Sequence, residues 1–152
     1  MSGKGPEMIA LLQRVTEASV SVEGAAIARI GRGLLVLAAV HRDDTERDPV
    51  RLAERILSYR VFPDEKGRMN LSLTDIGGEL LLVPQFTLAA DTRKGTRASF
   101  TRAARPEAGE AAFAALVSAC RERTETVRTG RFGADMQVAL VNDGPVTFWL
   151  ES

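Results

Sequence analysis

The chain offers few residues from which chemistry can start. It carries one histidine, His41, and one cysteine, Cys120. A Ser-His-Asp or Cys-His arrangement would have to use His41, and no Gly-x-Ser-x-Gly elbow is present to raise a serine into position. His41 follows an apolar run and precedes an acidic turn, which suits a satisfied or solvent-facing imidazole. Cys120 falls where a small core residue belongs on a helix. Histidine, cysteine and carboxylates do not cluster at metal-ligand spacing, so no metal and no other cofactor is expected.

What remains is Gln85-Phe86-Thr87-Leu88. Pro84 ends the apolar run Leu80-Leu81-Leu82-Val83 and, lacking an N–H, cannot donate to a sheet ladder. The residues after it therefore leave regular pairing and can aim backbone N–H groups elsewhere. A hydroxyl at Thr87, an amide at Gln85 and backbone donors suit stabilisation of an oxyanion. They do not suit deprotonation of a nucleophile, so an activated ester, or a substrate that brings its own nucleophile, fits better than a stable amide. A second feature, Asn142-Asp143-Gly144-Pro145-Val146-Thr147, interrupts two apolar runs that both read as strands. Gly144 permits backbone angles that other residues avoid, and Pro145 makes the preceding bond the one kind that is readily cis. The stretch is either an ordinary turn or a specialised backbone device.

Several elements must position these groups. Residues 8–15 are apolar, 18–23 alternate as a half-buried strand, and Gly24 turns the chain into a returning strand at 26–30. Gly31-Arg32-Gly33 turns it again into an apolar run from Leu34 to Val40, buried on both faces, so the chain begins as a β-meander. The Gly31-Arg32-Gly33 triplet is no dinucleotide fingerprint, because Val36 stands where the third glycine belongs and a strand follows. A helix is predicted to about residue 59, with Asp48 or Thr45 as its cap, Pro49 as its first residue, and Ala53, Ile56 and Leu57 inward. A short strand at 60–62, an alternating segment at 69–73 and a turn at 75–78 lead to the apolar strand at 79–83. Residues 89–105 lack periodicity but carry Arg93, Lys94, Arg97, Arg102 and Arg105, and read either as a solvated loop or as a contact to phosphates. Lys94-Gly95-Thr96 lacks the glycine-first order of a phosphate loop. A second helix, 106–123, buries Ala112, Phe113, Leu116, Val117 and Cys120.

At 152 residues, 45% apolar and 26% charged, the chain is sized and composed as one globular domain. Twenty basic and twenty acidic residues cancel, so contact with nucleic acid should be short and local. The lone cysteine excludes an internal disulfide and fits a reducing compartment. Residues 1–7 read as a loose, flexible tail, and the apolar segment after them is too short for a signal-peptide core or a membrane span.

Taken together, Val83-Pro84-Gln85-Phe86-Thr87-Leu88-Ala89, then Lys94-Gly95 and Arg97, then Thr129-Gly130-Arg131-Phe132, then Asn142 to Thr147 resemble the D-aminoacyl-tRNA deacylase family, of the D-tyrosyl-tRNA deacylase type. The opening Ile9 to Val15 and Met69-Asn70-Leu71 are similar as well, so the likeness spans almost the whole chain. It implies an α/β fold: a compact mixed sheet with barrel-like β structure and two main flanking helices, one domain over 8–152. It implies a cytoplasmic homodimer that hydrolyses the ester joining a D-amino acid to the terminal adenosine of tRNA. By resemblance, Gln85, Phe86 and Thr87 line the catalytic pocket, with the Phe86 N–H as oxyanion donor and Thr87 as nucleophile or positioning group. Gly144 and Pro145 would form a cis peptide reaching from one subunit into the other's site, excluding L side chains but passing glycine, including glycine mischarged on tRNA-Ala. Arg93, Lys94, Arg97 and Arg102 would supply a few contacts to tRNA phosphates. The family usually has serine where this chain has Pro84, so no hydroxyl acts from that position. The rival readings are a non-catalytic domain of the same fold that binds aminoacyl-tRNA or nucleotide ends, and a β-rich dimerisation module.

Overall fold

One long strand organises the sheet. In the computed structural model, which describes residues 8–42 and 47–152, β1 (Ile9–Val22) pairs antiparallel with three others. Its first half faces β3 (Gly33–Ala39), its second half faces β2 (Ala25–Ile30), and its other edge carries β8 (Gln137–Glu151) along its whole length. The two apolar runs predicted at the N-terminus are thus one strand, broken in phase rather than in continuity. Ala10 and Leu12 face one core, while Val15, Ala18 and Val20 face another, and the ladder slips between Val15 and Glu17 where that switch occurs. The remaining order is β3, β6 (Glu79–Pro84) and β7 (Val127–Thr129), all parallel.

The two cores explain why β3 and β6 are apolar on both faces. Leu34, Val36, Leu80 and Leu82 pack under α1 (Asp48–Ser58) and α3 (Pro106–Arg121), together with Leu52, Ile56, Phe113, Leu116 and Cys120. Leu35, Leu81 and Val83 point the other way, into the interior of the strongly curved sheet with Val15, Val20 and Ile30. This is the mixed, barrel-like α/β architecture expected, with α1 and α3 as its two main helices. The helix faces are as predicted: Ala53, Ile56 and Leu57 of α1 are buried, and Ala112 packs partly buried against the core beside Phe113, Leu116, Val117 and Cys120.

Arg47, not Asp48, holds the cap position of α1, and Asp48 is already helical. The Asp48 carboxylate is buried and accepts a 2.6 Å hydrogen bond from the Ser152 hydroxyl, so it ties the helix to the C-terminal strand. The predicted tail at 1–7 and the alternative cap Thr45 lie outside the described residues. The short strand predicted at 60–62 forms instead at Phe62–Pro63 (β4), paired with β5 (Met69–Leu71). The turn predicted at 75–78 is the end of a short helix, α2 (Leu73–Ile76). Ser72 accepts from the Asp75 N–H at 3.2 Å while the Asp75 carboxylate accepts from the Ser72 N–H at 2.9 Å, a reciprocal cap that stabilises even one helical turn.

The two strands flanking Gly144-Pro145 are not a hairpin. Both belong to β8 and both pair with β1, so the chain does not reverse there. Gln13 pairs with Thr147 and Val15 with Asn142, so residues 143–146 are thrown out of the ladder opposite Arg14 alone. The motif is an outward bulge in a strand at the edge of the sheet.

Candidate active site

Three parallel strands end side by side, and the cavity lies beyond their carboxyl ends, the usual place for a site in such a sheet. Ala38, Ala39 and Val40 end and follow β3, and Val83, Pro84, Gln85 and Phe86 end and follow β6. Pro106, Gly109 and Phe113 of α3 form one wall, and Phe132 to Met136, after β7, form another. The space is about 480 Å³ and mainly apolar. Gly130 lies close under this wall: a Cβ there would stand 2.8 Å from Met136 Sδ, so a larger residue would push the Met136 side chain aside.

At the mouth, Pro84 stays in the ladder as the last residue of β6, opposite Ala38, and the Gln85 N–H donates to the Ala38 carbonyl at 2.7 Å. The chain then forms a 3-10 turn at Phe86–Ala89. Leu88 N–H donates to Gln85 O at 3.2 Å and Ala90 N–H to Thr87 O at 3.1 Å. The N–H groups of Phe86 and Thr87 are the first of the turn and have no acceptor within it. Departure from pairing therefore begins one residue later than Pro84 alone predicts, and it frees the donors at Phe86 and Thr87. The Gln85 Nε2 donates to Thr87 Oγ1, and Thr87 itself is exposed.

His41 does not serve Thr87. It is buried, its Nε2 accepts from Arg102 Nε at 3.4 Å, and it bridges to Ala103 across the end of β3. Cys120 is fully buried in the helix-side core, and burial pushes its thiol up to about 12. Among the described residues, no group of three or more His, Cys, Asp or Glu side chains could hold a metal ion.

The basic loop is more ordered than its composition suggests. Asp91 and Ser99 exchange two backbone hydrogen bonds, of 2.8 and 2.9 Å, and close residues 92–98 into a tip. Arg93 is held by the Asp91 carboxylate through both Nε and Nη2 at 3.1 Å, and these bonds lower Asp91 to about 2. Lys94 and Arg97 are exposed on the tip. Arg102, half-buried, is turned toward His41 instead.

Gly144 and Pro145 are exposed and joined by a cis peptide bond. Asn142 braces the bulge: its Oδ1 accepts from the Val146 N–H at 2.7 Å and its Nδ2 donates to Thr147 Oγ1 at 2.9 Å. Arg14 holds it from beneath, with Nε donating to Asp143 O at 2.9 Å and Nη1 to Val61 O at 2.6 Å. Gly144 has φ +139°, and a Cβ there would meet Val146 Cγ2 at 2.6 Å. The structure does not bring this bulge to Gln85, Phe86 and Thr87 within one chain. The cavity excludes Gly144 and Pro145. Counting strands and register from Arg14 through Leu34 and Leu80 to Gln85, at about 4.8 Å per strand and 3.3 Å per residue, separates them by about 20 Å.

Sequence reasoning missed most of the cavity wall. The periodicity of the second helix marks Phe113 as core alone, and no sequence pattern marks Met136 as lining; the glycines at 130 and 133 flanking Phe132 are the available signal.

Comparison with known proteins agrees with the resemblance. Residues 11–151 match the family model described as D-Tyr-tRNA(Tyr) deacylase. The chain is 66% identical to the D-aminoacyl-tRNA deacylase of Alkalilimnicola ehrlichii, over 95% of this chain and 97% of that protein. It is 56% identical to the D-aminoacyl-tRNA deacylase of an Escherichia coli strain, over 95% and 99% of the two chains. Among solved structures, the c-Myc DNA Unwinding Element Binding Protein superposes with a TM-score of 0.90 at 41% identity, covering 95% of this chain and 98% of that one. A probable eukaryotic D-amino acid tRNA deacylase shares the fold, with a TM-score of 0.82 at 20% identity over 95% and 99%. Identity of this extent over nearly the whole chain places the protein in the D-aminoacyl-tRNA deacylase family.

Proposed function

We propose that the protein hydrolyses the ester of D-aminoacyl-tRNA, releasing free D-amino acid and reusable tRNA. The observation that carries this is the pair of N–H groups at Phe86 and Thr87, freed by the 3-10 turn beside an apolar cavity of nucleoside size. The terminal adenosine occupies that cavity between Phe132, Met136 and Pro84, which places its 3'-ester at the mouth. Water adds to the ester carbonyl, and the oxyanion is held by the Phe86 N–H. The C–O bond to the ribose then breaks, and the 3'-oxygen leaves with a proton. With Thr87 already accepting from Gln85 and no base beside it, the substrate's own 2'-hydroxyl is the group best placed to assist.

Stereochemical choice rests on the Gly144-Pro145 bulge of a second subunit. Its position at the sheet edge, about 20 Å by register from the donors of its own chain, favours action in trans. A filter made of backbone reads the α carbon: it crowds an L side chain, tolerates many D side chains and passes glycine, so glycyl-tRNA mischarged on tRNA-Ala is a substrate too. Lys94 and Arg97, with Arg93, contact few phosphates, which fits a neutral protein and a modest salt dependence. A cytoplasmic location follows from the substrate, and among the described residues no helix is long and apolar enough to cross a membrane.

The test is a paired assay on D- and L-tyrosyl-tRNA. Hydrolysis of the D form and of glycyl-tRNA, with the L form spared, is expected; equal rates on D and L would remove the filter. A second reading, nucleic-acid-end binding without catalysis, draws on the likeness to a protein named for binding DNA. It would show as tight binding with no hydrolysis of either form.

A further inference from the structure

Two exposed aromatic rings stand at the mouth of the cavity. Phe86 is 60% and Phe100 45% exposed, with ring centroids 5.3 Å apart and planes tilted by 51°. Phe86 lines the cavity, whereas Phe100 does not, so the pair extends the site outward from the pocket rim. Phe100 is not on a loose segment. It directly follows Ser99, which is paired to Asp91, and its carbonyl accepts from the Ala103 N–H at 3.1 Å. Two further bonds pin the segment to the end of β3, Arg42 N–H to Arg102 O at 2.9 Å and Ala104 N–H to Val40 O at 3.0 Å. The tip closed by the Asp91–Ser99 bridge carries Lys94 and Arg97 in solvent.

An exposed apolar ring held rigidly beside free cations has the chemistry of a single-strand nucleic-acid platform: a π-face for a base and positive charge for the backbone. We infer that Phe100, leaning on Phe86, is the stacking platform for the base of the penultimate nucleotide of the tRNA 3' end, with Lys94 or Arg97 on the intervening phosphates. This rests on the terminal adenosine occupying the cavity. Because Phe86 borders both spaces, a strand leaving the cavity meets Phe100 within one nucleotide. The platform adds affinity without reading sequence, since every base offers a π-face, and so serves an enzyme that must accept many tRNAs.

The test compares equilibrium binding of adenosine and of the uncharged trinucleotide CCA to the wild-type protein and to Phe100→Ala, Phe100→Leu and Phe100→Trp, alongside deacylation of D-tyrosyl-tRNA. Wild type should bind CCA more tightly than adenosine. Phe100→Ala and Phe100→Leu should weaken CCA binding by about 5- to 150-fold, the range expected for losing one stacked base, and change adenosine binding by less than about twofold. Phe100→Trp should keep the preference, which separates stacking from support of the fold. In deacylation the loss should fall on KM, with kcat held. Equal weakening of both ligands, or a CCA preference that survives Phe100→Ala, would overturn the platform, for instance because a second subunit covers it. If the binding pattern holds but D-tyrosyl-tRNA is not hydrolysed, the deacylase reading falls while the platform stands.

Discussion

The Thr87 hydroxyl accepts from Gln85 Nε2 and faces solvent, and among the described residues no carboxylate or imidazole is placed to take its proton. A nucleophilic role needs such a base; a positioning role needs only the hydrogen bond it already has. Thr87→Ala should therefore retain deacylation, with kcat lowered by less than about 100-fold, and no acyl-enzyme should accumulate. A mass shift of one aminoacyl group on Thr87 in a quenched reaction would identify it as the nucleophile instead. Cys120 carries a second residue-level expectation. Its buried thiol titrates near 12 against an ordinary value of 9.0, so the unfolded chain ionises first as pH rises. The neutral thiol's contribution to stability is complete below about pH 9 and is lost between 9 and 12, at up to about 1.4 kcal/mol per pH unit. Urea unfolding from pH 8 to 10.5 should fall more steeply for wild type than for Cys120→Ala, and a thiol reagent should leave the native protein unlabelled.

At the scale of elements, the bulge in β8 depends on Arg14, a residue of the neighbouring strand. One guanidinium satisfies the carbonyls of Asp143 and Val61 and lies 3.6 Å from the Asp143 carboxylate. Arg14→Ala should cost about 2 to 3 kcal/mol in urea unfolding, since it removes charge-assisted bonds and leaves partly buried carbonyls without partners. If the bulge is the filter, the same variant should also narrow the ratio of D- to L-tyrosyl-tRNA hydrolysis by about tenfold or more; a stability loss with the ratio intact would separate support from selectivity. Much of this level was legible in the chain. Apolar periodicity placed α1, α3, β2, β3 and β6 and marked β1 and β8 each as two separate runs, and Pro84 and Gly144-Pro145 marked where regular pairing changes. What stayed hidden was set by partners distant in sequence. A bulge and a hairpin carry the same turn residues, and only pairing of both flanks with β1 distinguishes them. Likewise, Asp48 looked like a cap because its true partner, Ser152, is 104 positions away.

For the whole molecule, the free edge of β8 is where the proposed second subunit would dock. Val141 is 49% and Trp149 51% exposed on a strand paired along one edge only, and the Gly144-Pro145 bulge projects from the same strand. A long edge strand with exposed apolar side chains invites a second copy, and the proposed action of the bulge in trans requires one. The arrangement can be tested without a structure of the dimer. Phe86→Pro removes the N–H that holds the oxyanion on the donor side of the site, and Gly144→Trp blocks whichever site the bulge enters. Each variant alone should be inactive on D-tyrosyl-tRNA. If the two halves of a site come from different chains, co-expression of the variants builds heterodimers in which one site combines an intact Phe86 with an intact Gly144. Random pairing makes half the dimers mixed, so about one quarter of wild-type activity should return. If the bulge acted within its own chain, every site would keep one defect and the mixture would stay inactive. If the subunits meet along β8, adding Trp149→Glu to both variants should abolish the rescue and shift the protein toward monomer on a sizing column, because a charge placed within an apolar interface opposes its burial.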